Sequence, residues 1–393
     1  MISFSRSLRF VAAVVMIAAM PQISSAQSTV TDVVGFLMTN QAVPTEDFDR
    51  DQAASEAARD ALTRALLVSL TSVPIATSSG GFVYRLNPEL GTVERATESF
   101  GGFFVERALT PGNGRAVFGM SAWTSAFDEL DGHNLRDGSF VTIANRFGDE
   151  PSPFDTESLT LRVRSSMMTA FASVGITDRL EIGGAIPFLR LRLEGERINV
   201  YRGQTFPQAN ALASASGIGD VAVRAKYMVV AGRSGGIAVA GEVRLPTGDE
   251  ENLLGAGSTA YRMMGIGSLE RHRVSVHGNA GFIQGGISDE FNFGGAAAVA
   301  VAPQVTLTGE LSARHLSELR SVELTSARHP SIVGVETLRL TEGEPGRTIA
   351  TGVAGFKWNP GGTLVVAAHL RWTLNSTGLT APLTPSLGLE YAF

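Results

Sequence analysis

Apolar and polar residues alternate along long stretches of this chain, and this period of two constrains its fold more than any other feature. In QVTLTGELSARH, Val305, Leu307 and Leu311 share one parity. Thr308 and Glu310 share the other. A period of two sustained over eight to twelve residues indicates a strand with two different faces. A soluble sandwich gives the same period, so the lengths of the strands and of their connections have to distinguish the two folds.

Twelve candidate strands are longer than the usual strand of about five or six residues. Most match the roughly 9–11 residues that a tilted strand needs to cross a bilayer. They are residues 115–124, 157–174, 179–194, 217–230, 235–246, 258–268, 273–284, 290–302, 304–316, 347–358, 363–374 and 385–393.

Long and short connections alternate between these strands. The long ones are 125–156, 195–216, 247–257 and 317–346, and tight turns such as GITD, AGRS, LERH and NPGG lie between them. An up-and-down barrel in an outer membrane has this pattern of short periplasmic turns and longer outer loops. The sequence therefore predicts an all-β, antiparallel, up-and-down transmembrane barrel of about twelve strands, with fourteen as the alternative count.

The first 26 residues have the features of a secretory signal. Arg6 and Arg9 precede an apolar run, FVAAVVMIAAM, and the small residues SSA precede Gln27. No later stretch of 18 apolar residues exists. Without residues 1–26 the chain has 30 basic and 38 acidic residues, a formal charge of −8, which offers no general attraction for nucleic acid. The absence of cysteine excludes disulfides and thiol chemistry.

The chain ends in SLGLEYAF, an alternating strand whose last residue is aromatic. A strand at the end of a barrel has to pair with the first strand, so we expect this end to be held in place. Tyr391 and Phe393 are placed for an interfacial aromatic girdle. The ending also resembles the C-terminal signature that the barrel assembly machinery reads, so both residues are candidates for an assembly signal.

Residues 27–114 differ from the alternating part of the chain. Residues 49–70 have the apolar stripe of a helix, and residues 82–96 read as a hairpin. A single helix and a hairpin bury too little to be stable alone. This segment is expected either to plug the barrel or to hang in the periplasm, with contact to the barrel favoured.

Two strands depart from a simple alternation. The apolar parity changes near Pro187, with Ile182 and Ile186 before it and Leu189 and Leu191 after it. Proline within a strand marks an edge or a bulge, so a bulge is predicted there. The segment STAYRMMGIG has no clear parity, and its faces stay unassigned.

By parity, the predicted lumen is net basic. Across the hairpin at residues 231–234, Lys226 and Arg244 are predicted to lack an acidic neighbour, whereas Arg224 is predicted to lie opposite Glu242. Rings of arginine and lysine select anions, so one interpretation is a lumen that attracts anions. The alternative interpretation is structural: arginine and glutamate side chains pair with each other and stabilise the wall. The candidate lumen residues are Arg162, Arg164, Arg190, Arg192, Arg224, Lys226, Arg244, Arg314, Lys357 and Arg371, with Glu181, Glu194, Glu242, Glu310 and Glu390 on the same faces.

Neither catalytic nor cofactor-binding motifs stand out. The G-x-S-x-G nucleophile motif is absent, and the six histidines have no metal-ligand spacing. Asp249, Glu250 and Glu251 form a weak candidate for a Ca²⁺ or Mg²⁺ site, and a solvated charged loop is the ordinary alternative. We therefore expect neither an enzyme nor a bound cofactor.

Three stretches carry a resemblance to a known family: GITDRLEIGGAIPFL, GIGDVAVRAKY and GEVRLPTGDEENLLGAGS. They resemble the meta-pathway phenol-degradation family of outer-membrane barrels, and the resemblance spans about residues 115–393. It implies a porin-like transporter for small aromatic or apolar compounds. It supplies no catalytic residue.

Together these features predict a bacterial outer-membrane channel for small molecules, such as aromatic or anionic compounds. The expected domains are a signal at 1–26, an N-terminal segment at 27–114 and a barrel at 115–393. The expected partners are outer-membrane lipid and lipopolysaccharide, the barrel assembly machinery and a small-molecule substrate, with no nucleic acid. A structural or surface-interaction barrel without transport is the alternative, and a barrel enzyme is a weaker one.

Overall fold

The fold is a closed antiparallel β-barrel that is preceded in the chain by two helices and a small hairpin. The computed structural model describes residues 29–38, 46–71, 81, 84–87, 92–95, 98–232, 234–329 and 331–393. The signal predicted at residues 1–26 lies outside these residues. The elements before the barrel are α1 (Val30–Met38), α2 (Glu46–Thr71), β1 (Tyr84–Asn87) and β2 (Thr92–Arg95).

Twelve of the described strands close the barrel, as the alternation predicts. Their order is β3–β7–β8–β10–β11–β12–β13–β14–β15–β16–β17–β19 and back to β3, and each neighbouring pair is antiparallel. The bounds are β3 Ala116–Phe127, β7 Asp155–Gly175, β8 Leu180–Tyr201, β10 Val221–Gly232, β11 Gly235–Leu245, β12 Ala260–Arg271, β13 Val274–Gly285, β14 Glu290–Ala302, β15 Val305–Arg328, β16 Val335–Gly361, β17 Leu364–Thr373 and β19 Thr384–Ala392.

The last strand pairs with the first one in the barrel. Tyr391 is the register partner of Phe118, and the Phe393 N–H donates to the Ala116 carbonyl at 2.8 Å. Both chain ends of the barrel lie at the end that also carries the tight turns, here called the inner end. The opposite end, with the longer connections, is the outer end.

Much of the sequence predicted as long outer loops forms strands instead. β7, β8, β15 and β16 have 21, 22, 24 and 27 residues, about twice the length that a bilayer requires. The predicted loop 195–216 is the end of β8 and a further strand, β9 (Gln204–Ile218). Shorter strands in the outer connections are β4 Glu129–Leu130, β5 His133–Asn134, β6 Val141–Phe147 and β18 Leu379–Thr380.

The hairpin between β8 and β9 depends on a two-residue turn with left-handed backbone at both positions. Arg202 has φ 49° and Gly203 has φ 79°, as a type I′ turn requires. Arginine is uncommon in this conformation, so the sequence carries only a weak turn signal there. This is why the segment reads as a loop rather than as a hairpin.

The outward face of the barrel is apolar in the part that a membrane would surround. Leu307 is 50% exposed, whereas its neighbour Thr308 is 4% exposed and faces inward, as the alternation predicts. β12, which has no readable parity in the sequence, also has two faces, because Tyr261 and Met263 point outward and Met264 inward. The outward side chains therefore form a continuous lipid-type surface around a closed sheet, as lipid requires.

The bulge predicted at Pro187 is wrong. β7 and β8 pair without a register shift from Asp155↔Tyr201 to Gly175↔Glu181. The interruption lies in the partner strand, where Gly219 and Asp220 separate β9 from β10. The apparent change of parity has another cause: beyond Pro187 it is the inward face that becomes apolar.

The two helices supply the reason for that apolar inward face. α1 packs against β8 and β9, and α2 packs against β15 and β16. Their buried residues join one core with inward leucines of the wall: Val30, Val33, Leu37, Leu62, Leu66, Leu161, Leu191 and Leu193. The outer half of the lumen is thus filled by an apolar core. Neither described helix combines the length and the apolarity that a helix needs to cross a membrane.

We predict that an arginine on the outward face costs stability in proportion to its depth. Leu311 is the seventh residue of β15 and points outward, and His315 points outward four residues further toward the outer end. Leu311→Arg should destabilise the barrel by about 2–4 kcal/mol and His315→Arg by about 1 kcal/mol or less. Reversible denaturant unfolding in lipid vesicles measures both. Equal costs for the two variants would contradict the assignment of Leu311 to the membrane.

We predict that removing Phe393 lowers the yield of folded barrel. The deletion removes the Phe393 N–H bond to Ala116 and a ring that lies edge-on to Tyr391, with centroids 4.8 Å apart. Heat-modifiable gel mobility reports the folded fraction. Phe393→Tyr retains the backbone bond and the ring and should fold as the parent does. An unchanged yield in the deletion would remove Phe393 from the candidate assembly signal.

Candidate functional site

A segment of extended chain crosses the barrel at its inner end. We call residues 98–114 the lumen strap. At its start the Phe100 N–H donates to Thr306 Oγ1 at 3.1 Å, and near its end Thr110 Oγ1 donates to the Asp178 carbonyl at 2.7 Å. Thr306 lies on β15 and Asp178 lies in the turn between β7 and β8. The strap therefore connects distant parts of the wall across the lumen.

A buried carboxylate on β15 anchors the middle of the strap. The Glu310 carboxylate accepts from three successive backbone N–H groups, those of Phe103, Phe104 and Val105. The Phe104 and Val105 bonds measure 3.0 and 3.1 Å. Beside it, Lys357 Nζ donates to the Gly102 carbonyl at 2.8 Å. Because a buried carboxylate is costly unless it is hydrogen-bonded, Glu310 and the strap depend on each other.

Ion pairs fix the next two residues of the strap. Glu106 pairs with Arg224 of β10, and the Arg107 Nε atom lies 3.1 Å from Glu270 Oε1 of β12. The side chains of Arg107, Glu106 and Glu270 are almost completely buried. Breaking such a pair from one side leaves an uncompensated buried charge, so the strap cannot leave this position without either solvating these groups or finding them new partners.

Lys226 and Arg244 have no acid opposite them in the hairpin of β10 and β11, as predicted, but the inference that both bases are therefore unpartnered is wrong. Lys226 Nζ lies 2.8 Å from Glu181 Oε2, and Arg244 Nε lies 2.8 Å from Glu242 Oε1. The predicted register is correct, because Arg224 is opposite Glu242 and Lys226 is opposite Ala240. Lys226 finds its partner on the other neighbouring strand, β8, where Glu181 is directly opposite it.

Lys226 also holds the strap. Its Nζ donates to the carbonyls of Arg107 and Leu109 at 3.3 and 3.0 Å. The Glu181 carboxylate beside it supplies the counter-charge. The lysine side chain is fully buried. A lysine that the sequence suggests as an anion-attracting group is therefore a structural link between wall and strap.

The remaining inward bases divide into paired and unpaired groups. Arg314 pairs with Glu290, Nη2 to Oε2 at 2.7 Å. The Arg371 guanidinium lies 5.3 Å from the centroid of the Trp123 ring. Among the described residues no ion pair of Arg371 is found.

Two histidines on the inward face, His277 and His369, are buried. His277 is 1% exposed, and its ring nitrogens bond to Ser268 and Ser275 at 2.9 and 3.2 Å. The His369 ring lies against that of Phe103, with centroids 4.2 Å apart. The strap excludes solvent from both residues, an effect that the parity of the wall alone does not reveal. Glu390 also faces this filled region, beside the Gly81 backbone.

Four predicted lumen arginines lie on the outward face instead. Arg162 and Arg164 on β7, and Arg190 and Arg192 on β8, are exposed, while the residues between them are buried. Glu194 faces outward as well, because it pairs with Arg192, Nη2 to Oε1 at 2.7 Å. The physical reason is that these strands extend past the apolar belt, so their outward residues are polar and their inward residues pack on the helices.

The acidic run Asp249 to Glu251 is occupied by contacts within the protein. The Asp249 carboxylate accepts from the Asn252 side-chain amide at 2.7 Å, and the Glu251 carbonyl accepts from the Thr31 N–H at 3.1 Å. In the part of the chain that the structure describes, no group of three or more acidic, histidine or cysteine residues is arranged to hold a metal ion. The run therefore serves to dock the start of α1 onto the outer connection.

Residues 141–315 match the family model described as "Putative MetA-pathway of phenol degradation". This confirms the predicted resemblance over these residues. The predicted span, 115–393, is longer than the match. No curated protein matches the chain.

Several solved structures are similar in shape. An outer-membrane channel from Pseudomonas putida F1 has 13% identity and a TM-score of 0.47, and the match covers 73% of this chain and 98% of that one. The NanC porin has 7% identity and a TM-score of 0.37, covering 70% and 98%. The KdgM porin has 7% identity and a TM-score of 0.35, covering 70% and 99%. The fold assignment itself stands on the strand pairing of this chain.

We predict that the buried Lys226–Glu181 ion pair contributes far more to the stability of the barrel than the exposed Arg192–Glu194 ion pair. Glu181→Gln leaves a buried ammonium without its counter-charge and should destabilise the barrel by about 3–5 kcal/mol. Glu194→Gln makes the same chemical change on the same strand and should cost about 1 kcal/mol or less. Denaturant unfolding measures both. Similar values for the two variants would contradict the burial of the Lys226–Glu181 pair.

Proposed function

We propose that this chain is a small-molecule channel of the bacterial outer membrane whose lumen is closed at rest by its own N-terminal segment. The observation that carries the proposal is the way the lumen strap is held. Polar groups of the wall hold it through ion pairs and hydrogen bonds, notably at Glu310, Lys226 and Arg224. Polar contacts of this kind can be exchanged for water when the strap moves.

The fold supports the location and the class of function. A closed twelve-stranded sheet with an apolar outward belt suits a bilayer. The exported leader predicted at residues 1–26 and the aromatic strand end fit the bacterial outer membrane, where such barrels occur. The proposal assigns no catalytic group and no cofactor.

The proposed substrates are small aromatic or anionic compounds. Arg371 and Trp123 lie together on the inward face, where they offer a positive charge and an aromatic ring. The family description refers to phenol degradation, which agrees with an aromatic permeant. Four other inward bases are paired with acids: Arg224, Lys226, Arg244 and Arg314. Lys357 donates to the Gly102 carbonyl. The proposed anion preference therefore rests on Arg371 rather than on a ring of free charges.

A barrel without transport is the second candidate, and the filled lumen favours it. The helices fill the outer half with an apolar core and the strap fills the inner end. In that case the long strands at the outer end would serve a structural or surface-interaction role. The two candidates differ in one respect, because only the channel requires the strap to move.

We predict that locking the strap to the wall abolishes current through the channel. Ser99 Oγ donates to Ser275 Oγ at 3.0 Å, and both residues are buried. The chain has no cysteine, so Ser99→Cys with Ser275→Cys introduces the sole thiol pair, at a separation that suits a disulfide. In planar bilayers, the reduced double variant should pass benzoate as the parent does. Oxidation should stop the current, and reduction should restore it.

Ser275→Cys alone is the matched control and should respond to neither treatment. Equal currents from the oxidised and reduced double variant would show that the strap does not gate. A parent protein that passes no current, together with no current from Glu310→Ala, would favour the barrel without transport. Heat-modifiable mobility establishes in each case that the barrel is folded.

A further inference from the structure

A compact group of arginines lies on the outward wall of the barrel, close to the apolar belt. We call Arg162, Arg164, Arg190 and Arg192 the arginine patch. β7 and β8 place them side by side, because Arg164 is directly opposite Arg192 and Ser166 is opposite Arg190. All four are exposed, and none belongs to the lumen machinery described above.

The patch begins where the apolar belt ends. One step toward the inner end, Met168 is opposite Phe188, and Phe188 is opposite Ile218 of β9. These three side chains are 45%, 45% and 41% exposed. A step of two residues along a strand is about 7 Å. The outward surface therefore changes from apolar to basic within one step, at the outer boundary of the belt.

The charges of the patch are not balanced within the protein. Glu194 pairs with Arg192, and among the described residues no ion pair is found for Arg162, Arg164 or Arg190. Arginines directly opposite each other on neighbouring strands, such as Arg164 and Arg192, repel and destabilise a sheet. Arg162 is directly opposite Glu194, and Glu196 is exposed on the same face of β8. The four arginines therefore exceed the acids beside them by two charges, and an anion from outside the protein would balance this excess.

The patch is also confined to one side of the barrel. At the outer boundary of other strands the outward side chains include Leu245, Tyr261 and Phe291, which are 41%, 58% and 49% exposed. Aromatic and apolar residues are the usual choice at such a boundary. The outward side chains at this boundary are thus not polar on every strand. Position at the boundary alone therefore does not explain four arginines on two adjacent strands.

We propose that the arginine patch binds the phosphate groups of an outer-leaflet lipid, lipopolysaccharide, with the lipid chains lying against Met168, Phe188 and Ile218. Arginine forms bidentate, charge-assisted bonds with phosphate. The exposed hydroxyls of Ser214 and Ser216, opposite Arg192 and Arg190, add donors beside it. The position of the patch at the edge of the apolar belt favours a lipid phosphate over free phosphate. A lipid places its phosphate at this edge and its acyl chains against the belt.

The proposal rests on the outer-membrane location proposed above. The test uses the purified full barrel in detergent and measures the Kd for diphosphoryl lipid A, with bound lipid counted by native mass spectrometry. Arg164→Gln with Arg190→Gln removes two charge-assisted contacts and should weaken binding by about ten-fold or more. The matched control is Arg202→Gln with Arg271→Gln, which removes the same charge from exposed turn positions and should bind as the parent does.

Two further probes identify the ligand. Dephosphorylated lipid A should bind about ten-fold or more weakly to the parent, and inorganic phosphate should fail to displace diphosphoryl lipid A at equal concentration. Unchanged binding by the patch variant, equal binding of the dephosphorylated lipid, or full displacement by inorganic phosphate would each overturn the proposal. Because no current is measured, failure here is distinguishable from failure of the proposed channel function.

Discussion

The structure depends on one pairing, that of the last strand with the first. In hydrocarbon an open sheet edge leaves a row of N–H and C=O groups without partners, at a cost of several kcal/mol each. The ladder between β19 and β3 removes both edges at once. Everything else follows from a closed wall: one face has to suit lipid, and the other surrounds whatever the chain places inside. The alternation of apolar and polar residues in the sequence follows from these two different environments.

The interior of the wall is not a solvated channel in the form described here. Charged groups of β10, β12, β15 and β16 contact the lumen strap, through ion pairs or through hydrogen bonds to its backbone. Buried pairs of this kind are weak evidence for stability, since desolvation offsets much of their attraction. They do specify position, because a displaced strap would leave several buried charges uncompensated. Wall and strap therefore determine each other's conformation.

The barrel could be predicted from the sequence because its signals are local. Strand length, parity and turn spacing lie within short stretches, and the turn at residues 231–234 even gives the register that places Arg224 opposite Glu242. The pairing of Lys226 with Glu181 could not be read in the same way. It depends on the neighbour across the other edge of β10, which is 45 residues away in the chain.

The sequence predicts which side chains of β7 and β8 point outward only within the apolar belt, where lipid requires the outward side chains to be apolar. Inside the belt an apolar residue points outward, but beyond it Leu191 and Leu193 point inward to meet Leu37 and Leu66. Parity cannot reveal this inversion, because the partner helices are distant in sequence. The contacts of the strap are equally hidden, since residues 98–114 have no period. The sequence parity predicts the arginines of the patch to face inward, whereas they face outward in the structure.

The course of the N-terminal segment also has a consequence for how the molecule forms. Its first described residues contact the outer connection at Glu251, and its last cross the lumen beside the tight turns at the opposite end. Described parts of the segment thus lie at both ends of the barrel, while the seam between β3 and β19 joins the first and the last strand of the wall. A wall that closed around empty space would leave this segment to be threaded through a finished ring. A wall that closes around the segment avoids this threading step. The N-terminal segment then acts as a template for the assembly of the wall.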